Sequence, residues 1–196
     1  MTENVFLKYM GDQGRERALA SGETLFHRDD SVTHLYVVSE GCVRLLRHTA
    51  EGRTVTFQTA TPGDTLAEAS LHAPRYHCDA VAERESIVIQ FSKKLVIETL
   101  ADDAKFAADA MAVLARQLID TRWRLELRNI RSAKERILQY LYLCCDDSGC
   151  VTLTQPLKQI AGEIGLTHEA LYRALSALAK EGAIERFPES GQIKIL

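Results

Sequence analysis

The sequence contains little proline, one tryptophan and no long apolar run. Four Pro and 11 Gly in 196 residues exclude a collagen-like or Pro-rich disordered chain, and 46% hydrophobic with 26% charged residues are typical of a globular protein. No window approaches the roughly 18 consecutive apolar residues of a membrane span, and the first residues lack a basic region followed by an apolar run. We therefore expect a cytoplasmic protein without a membrane partner.

Motifs of catalysis are also missing. There is no Gly-rich phosphate loop, no serine nucleophile elbow and no metalloprotease motif. His77 and Cys78 are adjacent in the chain, and adjacent strand residues face opposite sides, so they cannot act as a base and its nucleophile. The sequence predicts a protein that is not an enzyme.

The net charge of −3 is unevenly distributed. Residues 1–114 carry 12 basic and 17 acidic side chains, a net of −5, whereas residues 115–196 carry 12 and 10, a net of +2. The most basic stretch is 116–136, with seven Lys and Arg against three acidic residues. This asymmetry indicates two modules, of which only the second favours a polyanion.

Residues 1–100 are predicted to form the first domain, an antiparallel β-roll. Segments rich in β-branched and aromatic residues alternate with turn-forming residues. Gly41, Gly52 and Gly63 recur every 11 residues, a pitch of one strand plus one turn. The pattern indicates a β-shell with an interior.

Residues 101–130 are predicted to form a long dimerisation helix. Met111, Leu118 and Leu125 recur every seven residues, and Leu114 lies at the complementary heptad position. Such a narrow seam favours pairing with the same helix of a second copy. The alternative is packing within the chain, against the β-shell.

Residues 131–196 are predicted to form a winged helix-turn-helix domain. Ser132 and Glu135 form a capping box ahead of an apolar run. Two further helices follow, joined by a turn at Gly165, and a β-hairpin ends the chain. In this arrangement the second of the two helices enters the major groove of DNA.

The candidate DNA-binding residues lie on the outward face of that helix; they are Thr167, His168, Glu169, Tyr172, Arg173 and Ser176. Arg173 can donate two N–H groups to guanine, Glu169 can accept from cytosine, and Thr167 with the helix N-terminus can hold a phosphate. Glu169 and Arg173 are also spaced i, i+4, so the alternative is an ion pair on a solvated face.

Taken in this order, the segments resemble the CRP/FNR superfamily of bacterial transcription regulators. The stretches 21–26, 34–38, 41–45, 63–64 and 66–71 are similar to its cyclic-nucleotide-binding-type β-roll, and 160–175 is similar to its helix-turn-helix. The resemblance implies an α+β fold, a homodimer paired through the long helices, and a palindromic double-stranded DNA operator. It also allows RNA polymerase as a further partner.

Four residues are candidates for an effector pocket in the roll: Glu68, Arg75, Tyr76 and His77. Family members that bind cyclic AMP carry an Arg-Ser or Arg-Thr pair after the Glu of the roll's short helix. Glu68 matches that Glu, but Tyr76 and His77 occupy the positions of the pair. Arg75 is displaced by one residue, which turns it to the other face of a strand. These residues argue against cyclic AMP as the effector.

Other signals stay open, and the sequence identifies no cofactor. No cysteine precedes residue 42, which excludes the iron–sulfur cluster that some family members place before the roll. A small molecule in the roll is one remaining signal. A metal or haem bound in the roll is another. Its available ligands show no diagnostic spacing; they are His27, His34, Cys42, His48, His72, His77 and Cys78.

A redox signal is the remaining alternative. The five cysteines are an odd number, so we expect free thiols rather than a disulfide framework. Cys78 is one candidate redox residue, and Cys145 with Cys150, on either side of a turn, are the others. The alternative for Cys144 or Cys145 is a small residue of the core.

The leading interpretation is a sequence-specific, dimeric transcription regulator that is controlled allosterically by a signal sensed in the roll or at the cysteines. The alternative is a cyclic-nucleotide-binding regulatory protein that does not act through DNA. Outward-facing Glu169 and Arg173 on a winged helix favour the first.

Overall fold

The computed structural model describes residues 4–153 and 156–196. The chain divides into two compact units, Met1–Leu114 and Ala115–Leu196. Each unit has a hydrophobic core of its own. Within the described ranges, no helix combines the length and the apolar character that crossing a membrane requires.

The N-terminal unit begins with helix α1 (Val5–Met10), whose N-cap Asn4 accepts hydrogen bonds from the backbone of Phe6 and Leu7. Helix α2 (Lys93–Asp102) and the first part of α3 (Ala104–Asn129) complete the unit. Eight strands lie between α1 and α2: β1 (Arg15–Leu19), β2 (Thr24–Phe26), β3 (His34–Glu40), β4 (Val43–His48), β5 (Thr54–Ala60), β6 (Thr65–Leu66), β7 (Asp79–Ala82) and β8 (Ser86–Ser92).

The eight strands form two antiparallel sheets, with the orders β1-β8-β3-β6 and β2-β7-β4-β5. Side chains from both sheets, among them Val38, Val88, Val43 and Ala80, share one buried core. Successive strand residues point to opposite faces, so each sheet buries alternate side chains in the space between the sheets. The result is the β-roll that the spacing of the turn residues predicts.

Strand β3 is buried on both of its faces. Tyr36 and Val38 belong to the interior of the roll, whereas Leu35 and Val37 belong to a second core that includes residues of α1, α2 and α3. A strand covered on both sides has a continuous apolar run instead of an alternation. This explains why residues 35–38 form a continuous apolar run.

The start of α3 is fixed to the N-terminal unit through Phe106. Its ring meets Phe6 edge-on, with 5.7 Å between ring centroids, and lies 5.1 Å from Tyr9. One turn later, Asp109 accepts hydrogen bonds from the Tyr9 hydroxyl at 2.8 Å and from Lys8 Nζ at 3.3 Å. The hydrogen bond from Tyr9 is the main reason why the pKa of Asp109 is lowered.

The C-terminal unit contains the rest of α3, followed by three helices and three strands. They are α4 (Ala133–Cys144), β9 (Cys150–Thr152), α5 (Leu157–Glu163), α6 (His168–Lys180), β10 (Ile184–Phe187) and β11 (Gln192–Ile195). Ser132 caps α4 by accepting a hydrogen bond from the Glu135 amide at 3.4 Å. The strands form an antiparallel sheet of order β10-β11-β9. Its core includes Leu127, Ile137, Leu141, Ile164, Leu171, Leu175 and Ile193.

The turn between β3 and β4 requires glycine at position 41, and alanine substitution tests this. Gly41 has φ +88°, and an added Cβ would lie 2.6 Å from the Ser86 Cα. We expect Gly41→Ala to lower the free energy of unfolding in urea by about 3 kcal/mol, from left-handed strain plus overpacking. Gly52→Ala is the control, because Gly52 has φ +75° but no atom within 4 Å of an added Cβ. The control should cost about 1 kcal/mol, and equal losses would contradict this reading of Gly41.

Candidate DNA interface and effector site

Helix α6 begins at a well-defined cap. The hydroxyl of Thr167 accepts a hydrogen bond from the Ala170 amide at 3.1 Å. Before the cap, Gly165 has φ +70°, and the Leu166 amide donates to the Ala161 carbonyl at 2.8 Å, which ends α5 and turns the chain. The left-handed glycine followed by a threonine cap therefore determines where α6 starts.

Two faces of α6 differ in character. Leu171, Ala174, Leu175 and Leu178 are buried in the core of the C-terminal unit. The six residues predicted to bind DNA are all exposed: Thr167, His168, Glu169, Tyr172, Arg173 and Ser176. The structure thus brings them together on the surface that the apolar face leaves open.

The exposed surface of α6 has little internal pairing. The rings of His168 and Tyr172 meet edge to face, with 4.6 Å between centroids. Glu169 and Arg173 form no ion pair within 4.0 Å in the described part of the chain. Both charged side chains are therefore available to an external ligand.

The predicted dimer-interface residues of α3 are exposed. Met111, Leu114, Leu118 and Leu125 are 45–70% exposed. In contrast, Leu127 on the same helix is only 3% exposed and belongs to the core of the C-terminal unit. The heptad seam is thus distinct from the face of α3 that packs within the unit.

Tyr76 fills part of the interior of the roll. It is 2% exposed, and its ring stacks on Phe26 with 3.9 Å between centroids. Its hydroxyl donates a hydrogen bond to the His34 carbonyl at 2.9 Å. The neighbouring Arg75 is exposed and donates to the Asp29 carbonyl. Of the four effector candidates, one is thus a core residue and one is directed to a backbone carbonyl.

The other two effector candidates lie close to each other. Glu68 is half-buried in a 3₁₀ turn that ends at Ser70, and Ser70 Oγ lies 3.0 Å from Nδ1 of His77. Arg47 of β4 donates to the His77 carbonyl, and its guanidinium lies 5.4 Å from the ring centroid of Phe57. Arg47 belongs to no motif of the sequence. Its only signal is a charge beside an apolar strand segment.

The cysteines differ in accessibility, and all five are free. Cys42 and Cys78 are buried, and burial raises the pKa of each thiol to about 11. Cys145 and Cys150 are partly exposed, and the Asp146 amide donates to the Cys150 carbonyl at 2.9 Å across the turn between them. The redox role of Cys78, Cys145 and Cys150 stays a prediction.

No metal site is evident in the residues that the structure describes. Nowhere in 4–153 and 156–196 do three or more His, Cys, Asp or Glu side chains group so that they could hold an ion. The C-terminal unit does contain a cavity of about 420 Å³, with Trp123, Arg124, Tyr140 and Glu163 among its lining residues. Burial raises the pKa of the Glu163 carboxyl. No sequence motif predicted this cavity.

Two family models match the chain. Residues 16–103 match the cyclic nucleotide-binding domain, and residues 135–196 match the Crp-like helix-turn-helix domain. The chain belongs to the CRP/FNR superfamily. The predicted fold class is confirmed, and so is the prediction of a DNA-binding transcription regulator. A role that does not act through DNA lacks support, since the helix-turn-helix is part of the match.

Relatives of this CRP/FNR regulator cover most of its length. The nitrogen fixation regulation protein FixK of Bradyrhizobium diazoefficiens is 29% identical over 178 residues, which is 87% of this chain and 74% of the relative. The cyclic AMP receptor protein of Thermus thermophilus is 26% identical over 182 residues, 92% of this chain and 84% of the relative. The structure of FixK2 from Bradyrhizobium japonicum matches with a TM-score of 0.68 at 24% identity, over 93% of this chain and 92% of that chain. By their names, these proteins are regulators or a receptor, not enzymes.

The residues at the predicted cyclic-phosphate positions differ from the pair that the resemblance implies. The resemblance implies an Arg-Ser or Arg-Thr pair for the cyclic phosphate at the positions of Tyr76 and His77. Tyr76 offers a buried ring stacked on Phe26, and Arg75 is engaged at the Asp29 carbonyl. At position 76 an aromatic ring thus stands where the resemblance implies a guanidinium, and the Arg47 guanidinium donates to the His77 carbonyl.

Alkylation with iodoacetamide tests the difference between the thiols. A pKa near 11 instead of 9.0 leaves Cys42 and Cys78 with about 100-fold less thiolate at pH 8, in addition to their burial. In the native protein, mass spectrometry should therefore find the exposed Cys144 and the partly exposed Cys145 and Cys150 modified before Cys42 and Cys78. Raising the pH toward 11 should accelerate the alkylation of Cys42 and Cys78. Unfolding in urea should remove the difference in alkylation rate between the buried and the accessible thiols. Native Cys78 reacting as fast as Cys150 would contradict the assignment.

Proposed function

We propose that the protein is a homodimer that binds a palindromic DNA operator, with α6 of each protomer in the major groove. The observation that carries the proposal is the exposed polar surface of α6, which stands opposite a fully buried apolar face. A helix anchored in this way presents a fixed set of side chains to base edges. RNA polymerase as a further partner and a cytoplasmic location are parts of the same proposal, as is the absence of catalysis.

Base readout is assigned to two charged residues. Arg173 can donate two parallel N–H groups to O6 and N7 of guanine, and Glu169 can accept from N4 of cytosine. Support comes from the lack of an ion pair between them in the described structure, since a pair would occupy both. Thr167, at the N-terminus of α6, lies where a helix binds phosphate, and His168, Tyr172 and Ser176 are further contacts to DNA.

Self-association is assigned to the exposed seam of α3. Met111, Leu114, Leu118 and Leu125 are spaced as the a and d positions of a heptad repeat. Their exposure in a single protomer supports the proposal, because pairing of two α3 helices would remove this apolar surface from water. In this scheme residues 1–100 sense a signal, 101–130 form the dimerisation helix and 131–196 bind DNA.

The signal is assigned to the roll or to the cysteines, as a redox change, a metal or a small ligand, and the residues of the roll argue against cyclic AMP. The pairing of His77 with Ser70, beside the turn that holds Glu68, supports a ligand of other chemistry at the roll. The partly exposed Cys145 and Cys150, on either side of one turn, support a thiol signal in the DNA-binding domain.

Replacement of Arg173 tests the proposed function. Arg173→Ala should cost about 1–3 kcal/mol at one base pair of each half-site and relax discrimination at that position only. Binding is measured with duplexes that carry every base at each half-site position. Lys180→Ala is the matched control, because Lys180 lies in the last turn of α6, and its loss should weaken binding to all duplexes alike. An unchanged base preference in Arg173→Ala would reject the assignment.

Replacement of Leu118 tests self-association. A symmetric dimer buries two copies of this side chain, so Leu118→Asp should weaken dimerisation by about 3 kcal/mol or more, over 100-fold. The control is Ile119→Asp, since Ile119 is 44% exposed on the same helix but lies off the heptad positions. Analytical ultracentrifugation should find a dimer for the control and a monomer for Leu118→Asp. Equal weakening of dimerisation by the two substitutions would contradict the assignment of the dimer interface to the heptad positions.

A further inference from the structure

Arg136 is a buried cation whose partners are all backbone carbonyls. It lies in the first turn of α4, is 9% exposed, and belongs to the basic stretch 116–136, although its burial makes it unavailable to a polyanion. Nε donates to the Ile130 carbonyl at 2.9 Å, and Nη2 donates to the carbonyls of Ile130 and of Arg128, the latter at 3.3 Å. Nη1 donates to the carbonyls of Ile164 at 3.1 Å and Gly165 at 2.9 Å.

These carbonyls belong to two different helix ends. Arg128 and Ile130 lie at the C-terminal end of α3, and Ile164 and Gly165 lie just after α5, in the turn of the helix-turn-helix. The last carbonyls of a helix lack partners within that helix, and they carry the negative end of its dipole. One guanidinium therefore caps the C-terminal ends of α3 and α5 at the same time.

All hydrogen-bonding capacity of Arg136 is used at this site. A guanidinium has five N–H donors in a planar fork, and five hydrogen bonds are formed. No carboxylate forms an ion pair with Arg136 among the described residues, so the two helix ends supply its counter-charge. Arg128 adds a weaker hydrogen bond to the Gly162 carbonyl at 3.4 Å. Separating the two helix ends would leave a buried charge unsatisfied, which is strongly unfavourable.

We infer that Arg136 is a positioning residue that fixes the helix-turn-helix turn to the end of α3 and so determines the spacing of the two α6 helices in the dimer. The inference rests on the proposed pairing through α3. Arg136 touches no DNA in this scheme. It makes α3 and the α5–α6 turn move as one body, so a dimer should accept only one separation of half-sites.

The test compares Arg136→Lys with Lys134→Arg in the full-length protein. Both variants keep the charge and lie in the first turn of α4, but Lys134 is exposed and pairs with Glu181 at 2.6 Å. A lysine at 136 has three donors on one nitrogen and cannot span both helix ends. Affinity is measured on palindromes whose half-sites are moved by one or two base pairs from the preferred spacing.

The expected result is a change of spacing preference and not only of affinity. The unchanged protein and Lys134→Arg should lose about tenfold or more in affinity per inserted base pair, whereas Arg136→Lys should lose about threefold or less. A spacing preference in Arg136→Lys equal to that of the unchanged protein would overturn the inference. A lack of spacing preference in the unchanged protein would instead reject the proposed dimer.

A second measurement covers the case in which Arg136→Lys does not fold, as judged by circular dichroism. In the unchanged protein, NMR should detect slowly exchanging guanidinium protons for Arg136, because all five are hydrogen-bonded and buried. The exposed Arg131, three residues after Arg128, provides the internal reference for fast exchange. Equal exchange of the two guanidinium groups would overturn the inference.

Discussion

Burial of one apolar face of α6 is the interaction on which the proposed DNA-binding surface depends. Leu171, Leu175 and Leu178 lie in a core shared with α4, α5 and the β-hairpin. Each fully buried leucine contributes about 1.5–3 kcal/mol, so α6 cannot rotate about its axis without a large loss of stability. The same burial directs Glu169 and Arg173 outward. The orientation of the proposed DNA-binding side chains therefore follows from the packing of the buried ones.

Local spacing was enough to predict the elements of this site. Leu171, Ala174, Leu175 and Leu178 are spaced i, i+3, i+4 and i+7, a pattern that predicts the buried face of α6, and Thr167 after a glycine predicts its start. The partners of Arg136 and Tyr76 could not be predicted in the same way. Each donates to a backbone carbonyl, at separations of 28 residues for Arg136 to Ile164 and 42 for Tyr76 to His34. Carbonyls are present at every position, so no residue type identifies which of them the fold leaves unpaired.

The β-roll combines a family match over its sequence with an interior that is partly filled by aromatic side chains. Residues 16–103 match a cyclic nucleotide-binding domain, and the stacked rings of Phe26 and Tyr76 occupy the interior of the roll. Packing of this kind stabilises the roll without a ligand, and it leaves His77 near the surface as a polar group. The chain passes from one unit to the other within α3, and the carbonyls that Arg136 holds lie at the end of that helix. The roll and the helix-turn-helix are thus built on separate cores.

The central claim is that two copies of the chain read DNA symmetrically, each with one α6 helix. The most direct test is to select duplexes that bind the purified protein from a random pool, at several salt concentrations, and to sequence them. The account predicts an inverted repeat whose half-sites have centres about one helical turn, or 10–11 base pairs, apart, and whose selection persists as salt weakens non-specific binding. Recovery of an unrepeated half-site, or of no enriched sequence at any salt concentration, would contradict it.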